Sequence, residues 1–363
     1  MNGTKNAECF SWLEINNFTT LYDINQQFTE RHLGGIIFTG ILMIFGVFGN
    51  LTVLWIYIRR FKMSNYRTYT IWLALMDVGN CLIGMPFLIY YMSHYLIFPS
   101  SVLCKLGRFV NVFTTNCSAY ILVVISYDRY RKICKPLQWQ FTQKQAKISC
   151  MVATCIGMVT SWPALVLYGI YTVDTMLPNV RGDRCWTDDT YRDQVYPSVY
   201  YIGLYVLNLS VVPVFLMAYV LILRFLYRHQ STGINIRTRK TTFTLLAVTV
   251  AFLLSGVPHY SLVVTTRIKK DFNCKMTFFE GFVYYSFVFS ILLNNAVNPF
   301  IYGFLDVKFR REIVIIYKSI RGQALQVRVD SSMAESGKQE MNGDVTRRDL
   351  TDGSSMETYL DRS

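Results

Sequence analysis

The sequence predicts an all-α membrane protein: a seven-transmembrane helix bundle with a short amphipathic eighth helix. Three observations predict it: the composition, the count of apolar stretches and the placement of basic residues. Of 363 residues, 52% are hydrophobic and only 16% charged, with mean hydropathy +0.27. Soluble domains carry about 25% charged residues, so this chain is poor in charge. A bilayer span needs about 20 apolar residues in helical form. Stretches that qualify run over about 33–58, 67–92, 104–133, 146–170, 198–226, 241–266 and 279–304. The third and seventh are the most polar, carrying Asn111, Thr114, Thr115 and Asn116, then Asn294, Asn295 and Asn298, so six spans is the competing count.

Basic residues set the orientation. Arg59, Arg60, Lys62 and Arg67 follow span one, and Arg131, Lys132, Lys135, Lys144 and Lys147 follow span three. Arg224, Arg228, Arg237, Arg239 and Lys240 follow span five, and Lys308, Arg310, Arg311, Lys318 and Arg321 follow span seven. Lys and Arg gather on the cytoplasmic side, which places the N-terminus outside a multi-pass protein. The net charge of +13 is split among these short loops. Nucleic-acid binding, which needs one basic stripe, is therefore not expected.

Four regions follow: an extracellular tail at 1–32, the bundle at 33–304, a membrane-surface helix at 305–321 and a disordered cytoplasmic tail at 322–363. Leu305, Phe309, Ile313 and Ile316 recur at helical spacing, which suits an interfacial helix. The last region is polar and rich in Ser, Thr, Asp and Glu. No cleavable signal peptide is expected, because residues 1–30 are polar. Asn2 and Asn17 head glycosylation acceptor triplets in the outer tail. Cys9, Cys104, Cys185 and Cys274 fall on the oxidising side and permit three pairings.

Polar groups inside the spans carry the mechanism. Pro299, between Asn298 and Phe300, frees a helix carbonyl that neighbouring groups must satisfy. Asp77, in mid-span two, is expensive to bury, and Ser118, Asn294 and Asn298 are its candidate partners. One carboxylate with several neutral oxygens suits a small hard cation such as sodium, or a water-holding hub. Asp128, Arg129 and Tyr130 end span three at the cytoplasmic face, where the acid and base can neutralise each other.

These features together resemble the rhodopsin-like (class A) G-protein-coupled receptors over about residues 33–312. Gly49-Asn50, Leu73 to Asp77, Asp128-Arg129-Tyr130, Trp162, Pro213, Phe252 with Pro258, and Asn298 to Tyr302 match the family's motifs in order. The resemblance implies a Cys104–Cys185 disulfide and an allosteric sodium pocket at Asp77, Ser118, Asn294 and Asn298. It implies that Arg129 meets a heterotrimeric G protein, that Tyr302 swings inward on activation, and that Phe309 anchors the eighth helix. Asp128, Tyr130, Phe252, Pro258, Asn298 and Pro299 complete the implied activation set. A Cys9–Cys274 bridge is similar to that of chemokine and angiotensin receptors. Plasma-membrane localisation is implied too. Gly256 stands where the family usually has tryptophan, and Thr238 where many members place an acid facing Arg129. Both departures lead to an expectation of ligand-free signalling.

Asn111 replaces the aspartate of amine receptors, and Leu292 the lysine of opsins. Tyrosines and tryptophans crowd the outer third, suiting a peptide, although the membrane-interface belt accounts for about half of them. Asp183, Asp188, Asp189 and Asp193 would steer a basic peptide. Arg131 to Pro136 and Ser161-Trp162-Pro163 look similar to neuropeptide receptors, loosely the cholecystokinin-like branch. Asn111, Thr115, Tyr201, His259, Tyr260 and Asn295 are the candidate pocket residues. The expected partners are an extracellular neuropeptide, a G protein, a receptor kinase with arrestin, and membrane lipid. A non-peptide small molecule is the alternative ligand. A transporter is disfavoured because Asp77 is the one clear mid-span charge, and an enzyme because no nucleophile–base or metal set is spaced for it.

Overall fold

Four of the spans begin at a serine or threonine whose side chain accepts a backbone N–H of the first turn. Ser64 accepts from Arg67, Ser100 from Leu103, Thr142 from Gln145 and Thr277 from Glu280. The first-turn N–H groups of a helix have no intrahelical partner, so these caps fix where each span starts. The computed structural model describes residues 13, 14, 16, 18–175, 180–228, 236–268, 276–319, 321 and 322. Among them, seven helices are long and apolar enough to cross a membrane. They are span one (Leu33–Arg60), two (Asn65–Ser93), three (Ser101–Cys134), four (Gln143–Leu167), five (Tyr196–Arg228), six (Thr238–Thr266) and seven (Phe278–Leu305). Six spans is thereby excluded. Cys9, Cys274, Asn2 and Asn17 lie outside the described residues, as does the tail from 323.

Span three is the hub. Asn116 on it donates to Thr160 Oγ1 and Ser161 Oγ of span four at 3.1 and 3.2 Å, and its amide oxygen accepts from Asn208 of span five. Span two carries a π-helical turn at Asn80–Gly84, just before Pro86. There the Met85 N–H reaches back to the Asn80 carbonyl, the five-residue step that defines such a bulge. Span seven is interrupted by a 3₁₀ turn at Ser290–Leu292, while Leu293–Leu305 runs helically through Pro299. The break in span seven thus sits about two turns before Pro299.

Span four stops at Leu167 and does not continue to 170. Residues Tyr168–Asp174 form strand β1, antiparallel to β2 (Arg181–Thr187), with Ile170 opposite Cys185. β1 is rich in β-branched and aromatic residues, so its apolar run reads equally as helix or strand. The hairpin is pinned twice. Cys185 is bonded to Cys104 at the start of span three. The backbone of Asp183 exchanges bonds with Leu96 and Phe98 of the loop between spans two and three at 2.7 and 2.9 Å.

Before span one lies a further helix, Leu21–Arg31, inside the segment expected to be a plain tail. Thr20 and Asp23 form a reciprocal capping box at its start. Asn25 docks it, donating to Ser93 O (2.8 Å) and accepting from Leu96 N (2.9 Å). After span seven, Asp306 Oδ1 accepts from the backbone of Lys308 and Phe309 and starts a new turn. Residues 310–319 form a separate unit and are helical.

Candidate receptor site

At the middle of the bundle Asp77 is fully buried, and its Oδ2 accepts from Asn298 Nδ2 at 2.8 Å. This bond ties span two to span seven. Asp77 Oδ1, Asn298 Oδ1, Ser118 Oγ, both amide atoms of Asn80 and the Tyr302 hydroxyl are buried without a hydrogen-bond partner among the described residues. Asn294 is buried one helical turn before Asn298. Unpaired buried polar atoms are costly. One carboxylate with several neutral oxygens fits a small hard cation.

The carbonyl freed by Pro299 belongs to Asn295, and Asn50 of span one supplies its partner. Asn50 Nδ2 donates to Asn295 O at 2.6 Å and to Gly46 O at 2.9 Å. The Pro299 ring lies directly over Gly49, where an added Cβ would stand 2.7 Å from Cγ. Gly49-Asn50 therefore works as one unit: the glycine admits the ring and the asparagine satisfies the carbonyl.

Near the C-terminal end of span three Arg129 donates to its neighbour Asp128, and both are buried. Asp128 also accepts from Asn65 Nδ2 (3.0 Å), which donates to Phe141 O as well. Tyr130 is half-buried, with the Lys135 ammonium 5.9 Å from its ring. The Thr238 carbonyl accepts from the hydroxyls of Thr241 and Thr242. Spans five and six are joined instead by Tyr219, whose hydroxyl lies 3.0 Å from Thr249 Oγ1. Phe252 is buried edge-on to Phe215, and Pro258 lies inside span six. Tyr302 is buried, its ring 5.8 Å from that of Tyr57. Tyr57 and Tyr66 both donate to Asp306 Oδ2 at 2.8 Å, which fastens the end of span one, the start of span two and the end of span seven.

The opposite end is a cup of aromatic rings. Tyr201 contacts Tyr168 and Trp186, and its hydroxyl meets Thr187 Oγ1 at 3.2 Å. Tyr260 faces Tyr205 of span five, and His259 Nδ1 meets Val288 O at 2.5 Å, a bond between spans six and seven. Asn111 donates to Gly84 O, against the π turn, and to Gly107 O. Thr115 is half-buried in span three. Asn295 is buried, with its carbonyl turned to span one. Tyr201 and Tyr260 thus stand in the ring wall, whereas Asn295 belongs to the Pro299 contact.

Of the loop aspartates, Asp188 caps the turn Asp189–Tyr191 and the Asp189 carboxylate accepts from Thr172 N. These acids build the hairpin. Sequence reasoning missed Arg108, Arg184, Asn80 and the Tyr57–Tyr66–Asp306 node. Arg108 could have been found as a charge one turn after Cys104, and Arg184 as the residue before Cys185. A hollow of about 430 Å³ opens beside Pro258, Leu262, Phe279, Val283 and Phe287. Its lining is almost wholly apolar, so it suits lipid chains and is not the cup.

This arrangement is that of a seven-helix signalling receptor, and the family described as "7 transmembrane receptor (rhodopsin family)" matches residues 49–302. The chain belongs to that family. Similar relatives include the tachykinin-like peptides receptor 86C of Drosophila melanogaster, 25% identical over 77% of this chain and 58% of its own length. The neuropeptide Y receptor type 1 of Xenopus laevis is 25% identical over 77% of this chain and 79% of its own. The neuropeptide S receptor of Macaca mulatta is 25% identical over 72% and 74%. The chain spans less than two thirds of the length of the first of these.

Proposed function

We propose that this receptor sits in the plasma membrane with its N-terminus outside, binds an extracellular neuropeptide in the aromatic cup, and activates a heterotrimeric G protein. The observation that carries the reading is the set of buried contacts at three levels of one bundle: the hairpin bonded to span three, the Asp77–Asn298 bond and the Asp128–Arg129 pair. The names of the relatives support the peptide ligand.

The peptide binds better to the form in which span six has moved outward, and it shifts the equilibrium by that difference in affinity. Arg129 then leaves Asp128 and, with Tyr302, forms the floor of the cavity that admits the G protein. A sodium ion held by Asp77, Ser118, Asn294 and Asn298 would favour the resting form by neutralising the buried carboxylate. Residues 305–321 lie along the inner membrane surface. The serines and threonines of the tail are phosphorylated by a receptor kinase and recruit arrestin. Asn2 and Asn17 carry glycans, and Cys9 pairs with Cys274.

The test is a neuropeptide library applied to cells expressing the full chain, read as calcium or cyclic AMP. A response absent from cells expressing Arg129→Ala at equal surface level supports the reading. Silence across the library counts against a peptide ligand.

A further inference from the structure

Two guanidinium groups face the cup with no acid among the described residues in ion-pair contact with them. Arg108 lies one helical turn after Cys104, and Arg184 immediately precedes Cys185, so the disulfide brings the two together. Both approach the Trp186 indole, at 5.7 and 5.1 Å from its centre. Arg108 also lies 4.3 Å from the Tyr91 ring and Arg184 4.3 Å from the Tyr95 ring. The Nε atoms of both arginines are buried and have no hydrogen-bond partner among the described residues. Arg108 Nη2 also donates to Cys185 O at 3.3 Å, and the Tyr91 side chain lies within hydrogen-bonding reach of both arginines.

No carboxylate forms an ion pair with either arginine among the described residues. The nearby acids are committed elsewhere: Asp23 and Glu280 to helix caps, Asp188 and Asp189 to the hairpin, and Asp174 to Arg181. Asp183 is exposed. Ring contacts return only part of what removing a guanidinium from water costs, and two like charges in one cup add repulsion. An arrangement that keeps both is short of one anion.

We propose that the peptide ligand presents a carboxylate to this cup, where it is gripped by Arg108 and Arg184. The planar fork of each guanidinium matches the two oxygens of a carboxylate, and the surrounding rings would take the apolar residue beside it. The carboxylate is either a free C-terminus or an Asp or Glu side chain. This replaces the basic peptide that the loop aspartates suggest. It rests on the peptide-receptor reading above and is tested so that the two fail separately.

Cells expressing the full-length receptor receive matched synthetic peptide libraries in four arms. Peptides end in a free carboxylate or an amide, and carry Asp and Glu or their Asn and Gln equivalents. The response is expected only in arms that retain a carboxylate, and the responding arm identifies its source. The active peptide should lose about tenfold or more in potency on Arg108→Gln and on Arg184→Gln, with Arg108→Lys keeping part of it. Any residual response to its uncharged analogue should show no further loss on the same variants. An amidated, acid-free arm as potent as the others overturns the inference and leaves the peptide receptor standing. If every arm is silent, the peptide reading fails. The anion site is then decided on purified receptor by thermal shift with N-acetyltryptophan and its amide. Stabilisation by the acid alone, lost in Arg184→Gln, sustains it; equal stabilisation or none overturns it. Cell-surface staining separates misfolded variants, and the four-arm comparison on unmodified receptor needs no variant.

Discussion

Replacing Asn50 with alanine removes the donor that satisfies Asn295 O at 2.6 Å. An unsatisfied buried acceptor costs about 1–3 kcal/mol, whereas interhelical hydrogen bonds in membranes average about 0.6 and reach about 1.7 kcal/mol. The low average reflects groups that find substitute partners. Asn295 O has poor substitutes, because residue 299 is proline and the Cys81 thiol stands 4.0 Å away. The expected loss is therefore near the top of the membrane range, about 1.5 kcal/mol. Pro299→Ala restores the N–H that would bond Asn295 O within its own helix. Asn50→Ala should then cost about 1 kcal/mol less in the Pro299→Ala background than alone. Thermal unfolding of the four purified receptors, at one detergent and salt condition, measures this coupling. If the two changes add to within about 0.3 kcal/mol, Asn50 does not serve the proline and the reasoning fails.

Three further outcomes are expected. His32 is buried just outside span one, and burial, aided by Arg184 and Arg31, lowers its pKa from 6.5 to about 3. The unfolded chain therefore binds a proton that the native state excludes, so stability falls as pH drops from 6.5 toward 3, by up to about 1.4 kcal/mol per pH unit. A His32→Gln receptor should lack this part of the acid sensitivity in pH-dependent melting curves. Asp306→Asn should destabilise by about 1–3 kcal/mol. Tyr57→Phe should then cost less in that background than alone, because both changes break the 2.8 Å bond. With Thr238 where an acid would hold Arg129, ligand-free signalling should exceed that of mock-transfected cells; equality would count against a missing latch.

Seven spans were legible because hydropathy is written along the chain. Asp77 and Asn298 were legible as partners because charged and amide groups in lipid must meet something. The hairpin was not, because Tyr168-Gly169-Ile170 continues the apolar run of span four, and only pairing across to Cys185 makes it a strand. The helix Leu21–Arg31 was hidden by its polar surface, although Thr20 and Asp23 stand at capping spacing. Arg108 and Arg184 are distant in sequence and each reads as an ordinary loop-end charge. Their shared environment exists only after the disulfide forms. Asn295 reads as a pocket residue by position alone, and the carbonyl it exposes to Asn50 depends on a proline four residues later.

The π turn at Asn80–Gly84 has a consequence for the cup above it. A helix turns about 100° per residue, so one surplus residue rotates everything beyond it by that angle. Tyr91 meets Arg108, while adjacent Tyr90 stacks on His94 instead. Deleting one residue from the bulge would swing the two rings past each other and present the wrong one to the arginine. The identity of the phenol at the binding wall is thus set by counting, more than two helical turns below it.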